Sequence, residues 1–271
     1  MKVWMDAKGV ALFPESELEQ GVVEAKQAAT KLAFRVRNAV PNCTEVWNIV
    51  PAQNVFEISL QRREIMVPDD LDRDMYLYIL RVIVDKLLLW YGSLPLHGAA
   101  ITCRDNAFFL FAQSGHGKSF FSNRLRMYRA GINLVGDDHI ILSDGRIYGN
   151  TLHRIRDRDG ANTFYASNSG MAVCPTYRIA FCIALDPGLN QVILLSPEDW
   201  VKELAAVSAF KYLMQQPVFD GRRYPVPQLE NEVTMDDCDT LVRSLFLGTG
   251  KIYKLQGNFD FIEKTLSALV K

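Results

Sequence analysis

AQSGHGKSFF, residues 112–121, is the stretch on which the reading of this chain turns. A phosphate-binding loop follows G-x-x-x-x-G-K-[ST], and Gly117-Lys118-Ser119 completes that pattern while Ala112 stands in the first glycine position. That position only begins the turn, so alanine is a modest steric change there if its φ is negative. The surroundings fit: Ala107–Phe111 is an apolar, strand-like run before the loop, and a helical pattern runs from Lys118 to Ala130 with Gly131 as its stop. Gly115 and Gly117 let backbone N–H groups turn inward, and the helix from Lys118 aims its positive end at the same point, a ready cradle for an anion. Ser114, Gly115, His116, Gly117, Lys118 and Ser119 are therefore the nucleotide-binding candidates. Lys118 would reach the β- and γ-phosphates and the Ser119 hydroxyl would ligate Mg2+.

Working outward, Leu96–Cys103 reads as a strand joined to Ala107–Phe111 by the turn Arg104-Asp105-Asn106. A hairpin centred on Asp105 puts His97 opposite about residue 113, at the mouth of the loop, where a histidine can bind a phosphate oxygen, a metal or the acceptor. After Gly131, a strand Ile132–Val135 is expected to return parallel beside the strand that leads into the loop, carrying Asp137-Asp138 to the same sheet edge. One carboxylate of the pair would hold Mg2+ and the other would take the proton of an attacking hydroxyl. Ile140–Ser143 and Arg146–Tyr148 pair around Asp144-Gly145. Residues 149–170 are polar and weakly patterned, as functional loops are, and hold Arg154, Arg156 and Arg158; Arg222 and Arg223 lie in FDGRRYPVP. Any of these arginines could neutralise charge on a transferring phosphoryl group. His139 is near the carboxylates by position only, and His153 reads as an ordinary loop residue.

The remainder bounds the answer. Acidic and basic residues nearly cancel, leaving a formal net charge of −1 over 271 residues, which speaks against a nucleic-acid surface. The most apolar window, Met75–Gly92, contains Arg81, Asp85 and Lys86 and reads as a buried helix rather than a membrane span. No secretion signal is readable, and five cysteines without a C-x-x-C pair point to a reduced, cytoplasmic protein. Residues 1–70 read as a small α+β segment: Ser16 and Glu19 form a capping box opening a helix to about Ala39, and Asn54–Leu60 with Glu64–Val67 form a hairpin. Beyond the polar loop, the pattern predicts strands Arg178–Leu185, Val192–Leu195 and Lys251–Leu255. It predicts helices from Ser196 to about Gln215 and over Phe259–Val270. Neither a nucleophile elbow nor a zinc-ligand spacing nor a dinucleotide fingerprint is present.

LPLHGAAI, FLFAQSGHGKS and AGINLVGDDHI, in that order over residues 94–143, resemble the core of bacterial HPr kinase/phosphorylase and its shorter relatives, a nucleotide-binding core shared with phosphoenolpyruvate carboxykinases. The size is most similar to the short HPr-kinase-like enzymes of lasso-peptide biosynthesis; the R-G-L-G signature of HPr kinases has no equivalent here. The resemblance implies an α/β fold with a P-loop core of this type, a mixed sheet flanked by helices, over residues 71–271, with the small segment 1–70 before it. It implies an ATP- and Mg2+-dependent kinase (Mn2+ serving as well) that phosphorylates a serine hydroxyl of a peptide or small protein, a lasso-peptide precursor above all. Lys118 and Ser119 would hold the phosphates and Mg2+, Asp137 would be the catalytic base, Asp138 would sit at the metal and His97 near the phosphate or metal. Neither nucleic acid nor membrane is expected as a partner, and a homo-oligomer is compatible. Two rivals use the same residues: a small-molecule kinase acting on a free amino acid, and a nucleotide-binding regulator without catalysis.

Overall fold

The glycines at 115 and 117 follow a strand that is buried from Ala107 to Ala112 and precede a helix, and the sheet that holds this strand positions the site. The computed structural model describes residues 2–6, 9–13, 35–36, 46–53, 57–69, 73–113, 115–137, 139–143, 145–149, 152–156, 162–166, 177–207, 218–219, 222–223, 240, 243 and 250–270. The chain divides into two units, Met1–Ser93 with Tyr212–Thr234, and Leu94–Lys211 with Met235–Lys271. The first unit thus extends past the expected boundary at residue 70 and takes in the apolar helix.

In the first unit, β1 (Lys2–Asp6), β2 (Gly9–Phe13), β3 (Arg35–Val36), β4 (Val46–Ala52), β5 (Glu57–Ser59) and β6 (Glu64–Pro68) form one sheet in the order β3-β2-β1-β4-β6-β5. The β5–β6 hairpin is the expected one. β4 was not foreseen; its Trp47 and Ile49 are buried on one face by strand alternation. The helix expected to reach Ala39 cannot do so, because Arg35–Val36 is a strand paired parallel with β2; its capping box lies outside the described residues. The apolar helix is α1 (Arg73–Trp90), buried on every side from Val82 to Leu89. Among the described residues no helix is long and apolar enough to cross a membrane.

The second unit is mixed α/β. Its strands are β7 (Leu94–Leu96), β8 (Ala99–Cys103), β9 (Asn106–Ala112), β10 (Ile132–Gly136), β11 (Ile140–Ser143), β12 (Arg146–Gly149), β13 (Leu152–Arg156), β14 (Asn162–Ala166), β15 (Tyr177–Leu185), β16 (Gln191–Leu194) and β19 (Ile252–Gly257). The short pair β17 (Val218–Phe219) and β18 (Arg222–Arg223) belongs to the first unit. The main sheet has the order β10-β8-β9-β15-β19-β16. β9, β15 and β19 are mutually parallel, while β8 and β16 run against them. Strands buried on both faces need no alternation, which is why NAFFLFA reads as one apolar run. Phe108, Leu110 and Ala112 pack in one cluster with Phe121 and Leu125 of α2 (Lys118–Tyr128) and Ile262 and Leu266 of α4 (Phe259–Leu269). On the opposite face, Phe111 meets Trp200 of α3 (Pro197–Val207) edge-on at 5.4 Å.

Three expectations change here. The strand expected over Leu96–Cys103 is broken at His97-Gly98: β8 stays in the main sheet, whereas β7 pairs with β11 in a three-stranded sheet, β12-β11-β7. Gly98 is required at this break, since a Cβ there would lie 2.9 Å from the Phe111 ring. The strand Ile132–Gly136 runs in the expected direction but pairs antiparallel with β8, which lies between it and β9. And residues 149–170 are not a bare loop: β13 and β14 form a hairpin within them, with β13 alongside α2.

Cys103 and Cys182 are free thiols; burial pushes the Cys182 thiol up to about 12, so it stays neutral and unreactive.

Candidate functional site

The site gathers where β9 and β10, running in the same direction on either side of β8, both end. Gln113 follows β9, and its carbonyl accepts from the His116 N–H at 3.1 Å to close a turn. Gly115 and Gly117 both have φ +86°, a conformation that only glycine adopts without strain. Gly117 is also hemmed in: a Cβ would approach the Phe121 ring to 2.9 Å and the Phe259 ring to 3.3 Å. Helix α2 begins at once, with Gly117 O accepting from Phe121 N at 2.9 Å. The N–H groups of Lys118, Ser119 and Phe120 therefore have no acceptor within the helix, and no acidic residue stands in its first turn.

Lys118 is only 8 % exposed and folds back across the loop, its Nζ donating to Ala112 O at 2.9 Å and to Gln113 O at 3.5 Å. Ala112, in place of the first glycine, supplies the carbonyl that receives it. Ser119 Oγ donates to Asp137 Oδ1 at 2.8 Å, joining the first turn of α2 to the end of β10, and Asp137 is 1 % exposed. The Ser119 carbonyl is held in turn by Ser122 Oγ at 3.1 Å and Asn123 Nδ2 at 2.8 Å. The seryl hydroxyl is thus fixed from its own backbone and from its acceptor.

The β8–β9 ladder ends at Ala99↔Leu110, so the register expected to carry His97 opposite about residue 113 stops two residues before it. On the other side, the pairs Gly136↔Ala100 and Ile140↔Leu96 bracket His97 between them, with Asp137 directly after Gly136. Both strands change sheets at the same place, so His97 and Asp137 share the seam. His97 is half-buried and His139 buried.

His116 has a partner that the sequence did not disclose: its Nδ1 accepts from the Leu185 N–H at the end of β15, 3.3 Å away. With Nδ1 as acceptor, the neutral ring carries its proton on Nε2. The imidazole ties the loop to the neighbouring parallel strand. Nothing in residues 112–121 signals this, because the amide is 69 residues downstream and belongs to the backbone. If the loop holds a nucleotide as the sequence leads one to expect, His116→Ala weakens that binding about threefold to tenfold, the worth of one neutral hydrogen bond. His116→Asn, whose Oδ1 can take the place of Nδ1, should recover most of it in the same titration.

The other candidates are placed as follows. Ser114, Asp138 and Arg158 lie outside the described residues. Arg154 and Arg156 are on β13, beside α2. Arg222 and Arg223 form β18 of the first unit. Among the described residues no three His, Cys, Asp or Glu side chains cluster as a self-sufficient metal site. Ser119 Oγ and Asp137 Oδ1 nonetheless form the kind of oxygen pair that a hard divalent cation takes from a protein when phosphates and water complete its shell. No family model matches the chain, and no curated protein matches its sequence.

Proposed function

We propose that this chain is an ATP-dependent kinase with a P-loop core of the HPr kinase type, transferring the γ-phosphate to a serine hydroxyl of a peptide or small protein, a lasso-peptide precursor being the expected acceptor, in a reducing cytoplasm. The observation that carries the reading is the 2.8 Å contact from Ser119 to Asp137, made where a left-handed glycine loop, a lysine and a helix start meet. A glycine-rich turn that merely capped a helix would not need a lysine folded over it or a buried carboxylate from a second strand against the first turn.

In this reading the N–H groups of the loop and of the first turn of α2 hold the phosphates, and Lys118 leaves the Ala112 carbonyl to meet them. Ser119 and Asp137 would hold Mg2+, which supplies charge neutralisation on the β- and γ-oxygens when bound. The contact favours giving Asp137 that role, which exchanges the two carboxylates relative to what the resemblance implies and leaves Asp138 to accept the proton of the serine hydroxyl. As that proton leaves, the seryl oxygen bonds to the γ-phosphorus, the bond to the β–γ bridging oxygen breaks, and ADP departs. The half-buried His97 would in this reading orient the incoming hydroxyl or a γ-oxygen.

The test offers γ-labelled ATP with a serine-containing peptide and, separately, with free serine. Label on the peptide is the expected outcome. Label only on free serine would make the protein a small-molecule kinase, and tight ATP binding with label on neither would make it a non-catalytic nucleotide binder.

A further inference from the structure

Two phenylalanines beside the glycine loop are exposed to solvent where the rest of the cluster is not. Phe120 is 46 % and Phe259 45 % exposed, and their rings meet edge-to-face at 5.5 Å with an interplanar angle of 85°. Beneath them Phe121 is fully buried, 5.4 Å from Phe120 and 5.5 Å from Phe259. Arg124 supports Phe120 from the side: its guanidinium lies 5.5 Å from that ring centre and is held by Glu263 through both carboxylate oxygens. The two outer rings are therefore fixed by their neighbours while each keeps nearly half its surface open, an arrangement that packing alone does not call for.

Their position relative to the loop gives them a use. Phe259 approaches Gly117 closely enough that a Cβ there would touch its ring. Phe120 follows Ser119, so it projects about 100° further round the helix than the hydroxyl that contacts Asp137. Phe259 opens α4 directly after β19, and β19 lies on the β15 side of β9, whereas Asp137 ends β10 on the β8 side. The carboxylate and the aromatic pair thus flank the loop from opposite sides. A nucleoside triphosphate whose γ end points to Asp137 and whose phosphates lie along the loop carries its nucleoside toward the rings.

We propose that Phe120 and Phe259 form the stacking platform for the base of the bound nucleotide. The proposal rests on the kinase reading for the position of the phosphates and adds the group that recognises the rest of the donor. Flat apolar rings held by neighbours lose little conformational freedom on binding, and base–aromatic stacking contributes enough per base to set the affinity.

The experiment compares two probes, ATP and inorganic tripolyphosphate, both titrated calorimetrically with Mg2+ into the wild-type protein, Phe120→Ala, Phe259→Ala and the double variant. Tripolyphosphate carries the phosphates without the base. The double variant should bind ATP about tenfold to a hundredfold more weakly and tripolyphosphate with unchanged affinity. Phe259→Trp, which keeps a π face, should hold ATP as well as the wild type does. Unchanged ATP affinity in the double variant would overturn the platform and leave the kinase reading standing. An equal loss for both probes would overturn it too, by showing that the rings only support the loop. Wild-type protein that binds neither probe would defeat the kinase reading, and the platform with it.

Discussion

On the proposed kinase reading, Lys118→Ala is expected to lose nucleotide binding and phosphate transfer together, with transfer falling about a hundredfold to a thousandfold, while the protein stays folded. The side chain is buried, and its partners include two backbone carbonyls, Ala112 O at 2.9 Å and Gln113 O at 3.5 Å. A hydrogen bond of this charge-assisted kind contributes about 1.5–3 kcal/mol of stability, offset in part because alanine no longer buries a cation. β9, by contrast, is held by ladders to β8 and β15 and by aromatic packing on both faces. Circular dichroism and thermal melts should therefore show a native-like variant, and ATP titration should show the loss. A variant that binds ATP normally would leave the folded-back lysine with a purely structural job.

On the same reading, Asp137→Asn is expected to give the second large effect, with transfer reduced about a hundredfold or more. Asparagine keeps an Oδ1 to accept from Ser119, so the substitution removes the charge and spares the 2.8 Å contact. Two assays separate the roles open to the carboxylate. If it holds the cation, the deficit shrinks as Mg2+ is raised or replaced by Mn2+, and ATP binding without metal is unaffected. If it takes the acceptor's proton, the deficit ignores metal concentration and the pH–rate profile loses its acidic limb. Full transfer by Asp137→Asn would remove the proposed mechanism altogether.

What the sequence revealed of this arrangement follows distance along the chain. The β8–β9 turn, the loop, α2 and the strand into Asp137 are contiguous, and each is marked by an apolar run or a turn residue. The break at His97-Gly98 is marked in the sequence only by its glycine, since the residues on either side are apolar and periodicity cannot report a change of partner. The placement of β8 between β9 and β10 was hidden for the same reason: the residues fix a strand's direction, while its neighbour is chosen by tertiary packing. The β13–β14 hairpin carries polar residues at strand positions and so read as a loop. The Leu185 amide that holds His116, and the Phe259 ring against Gly117, come from far downstream. A phenylalanine just after Gly257-Asn258 at a helix start was visible, but only the fold brings it to the loop.

The order of the main sheet also has a consequence for how the protein is made. β9 stands beside β15, about 70 residues later in the chain, and β15 beside β19, about as far again. Loop-closure entropy makes such pairings late and slow steps. The glycine loop is synthesised early, but the strand that tethers His116 and the helix that sets Phe259 against Gly117 emerge after it. On the ribosome the loop must wait as an unfinished turn until β15 and α4 have been made, so its final shape is set by segments synthesised well after it.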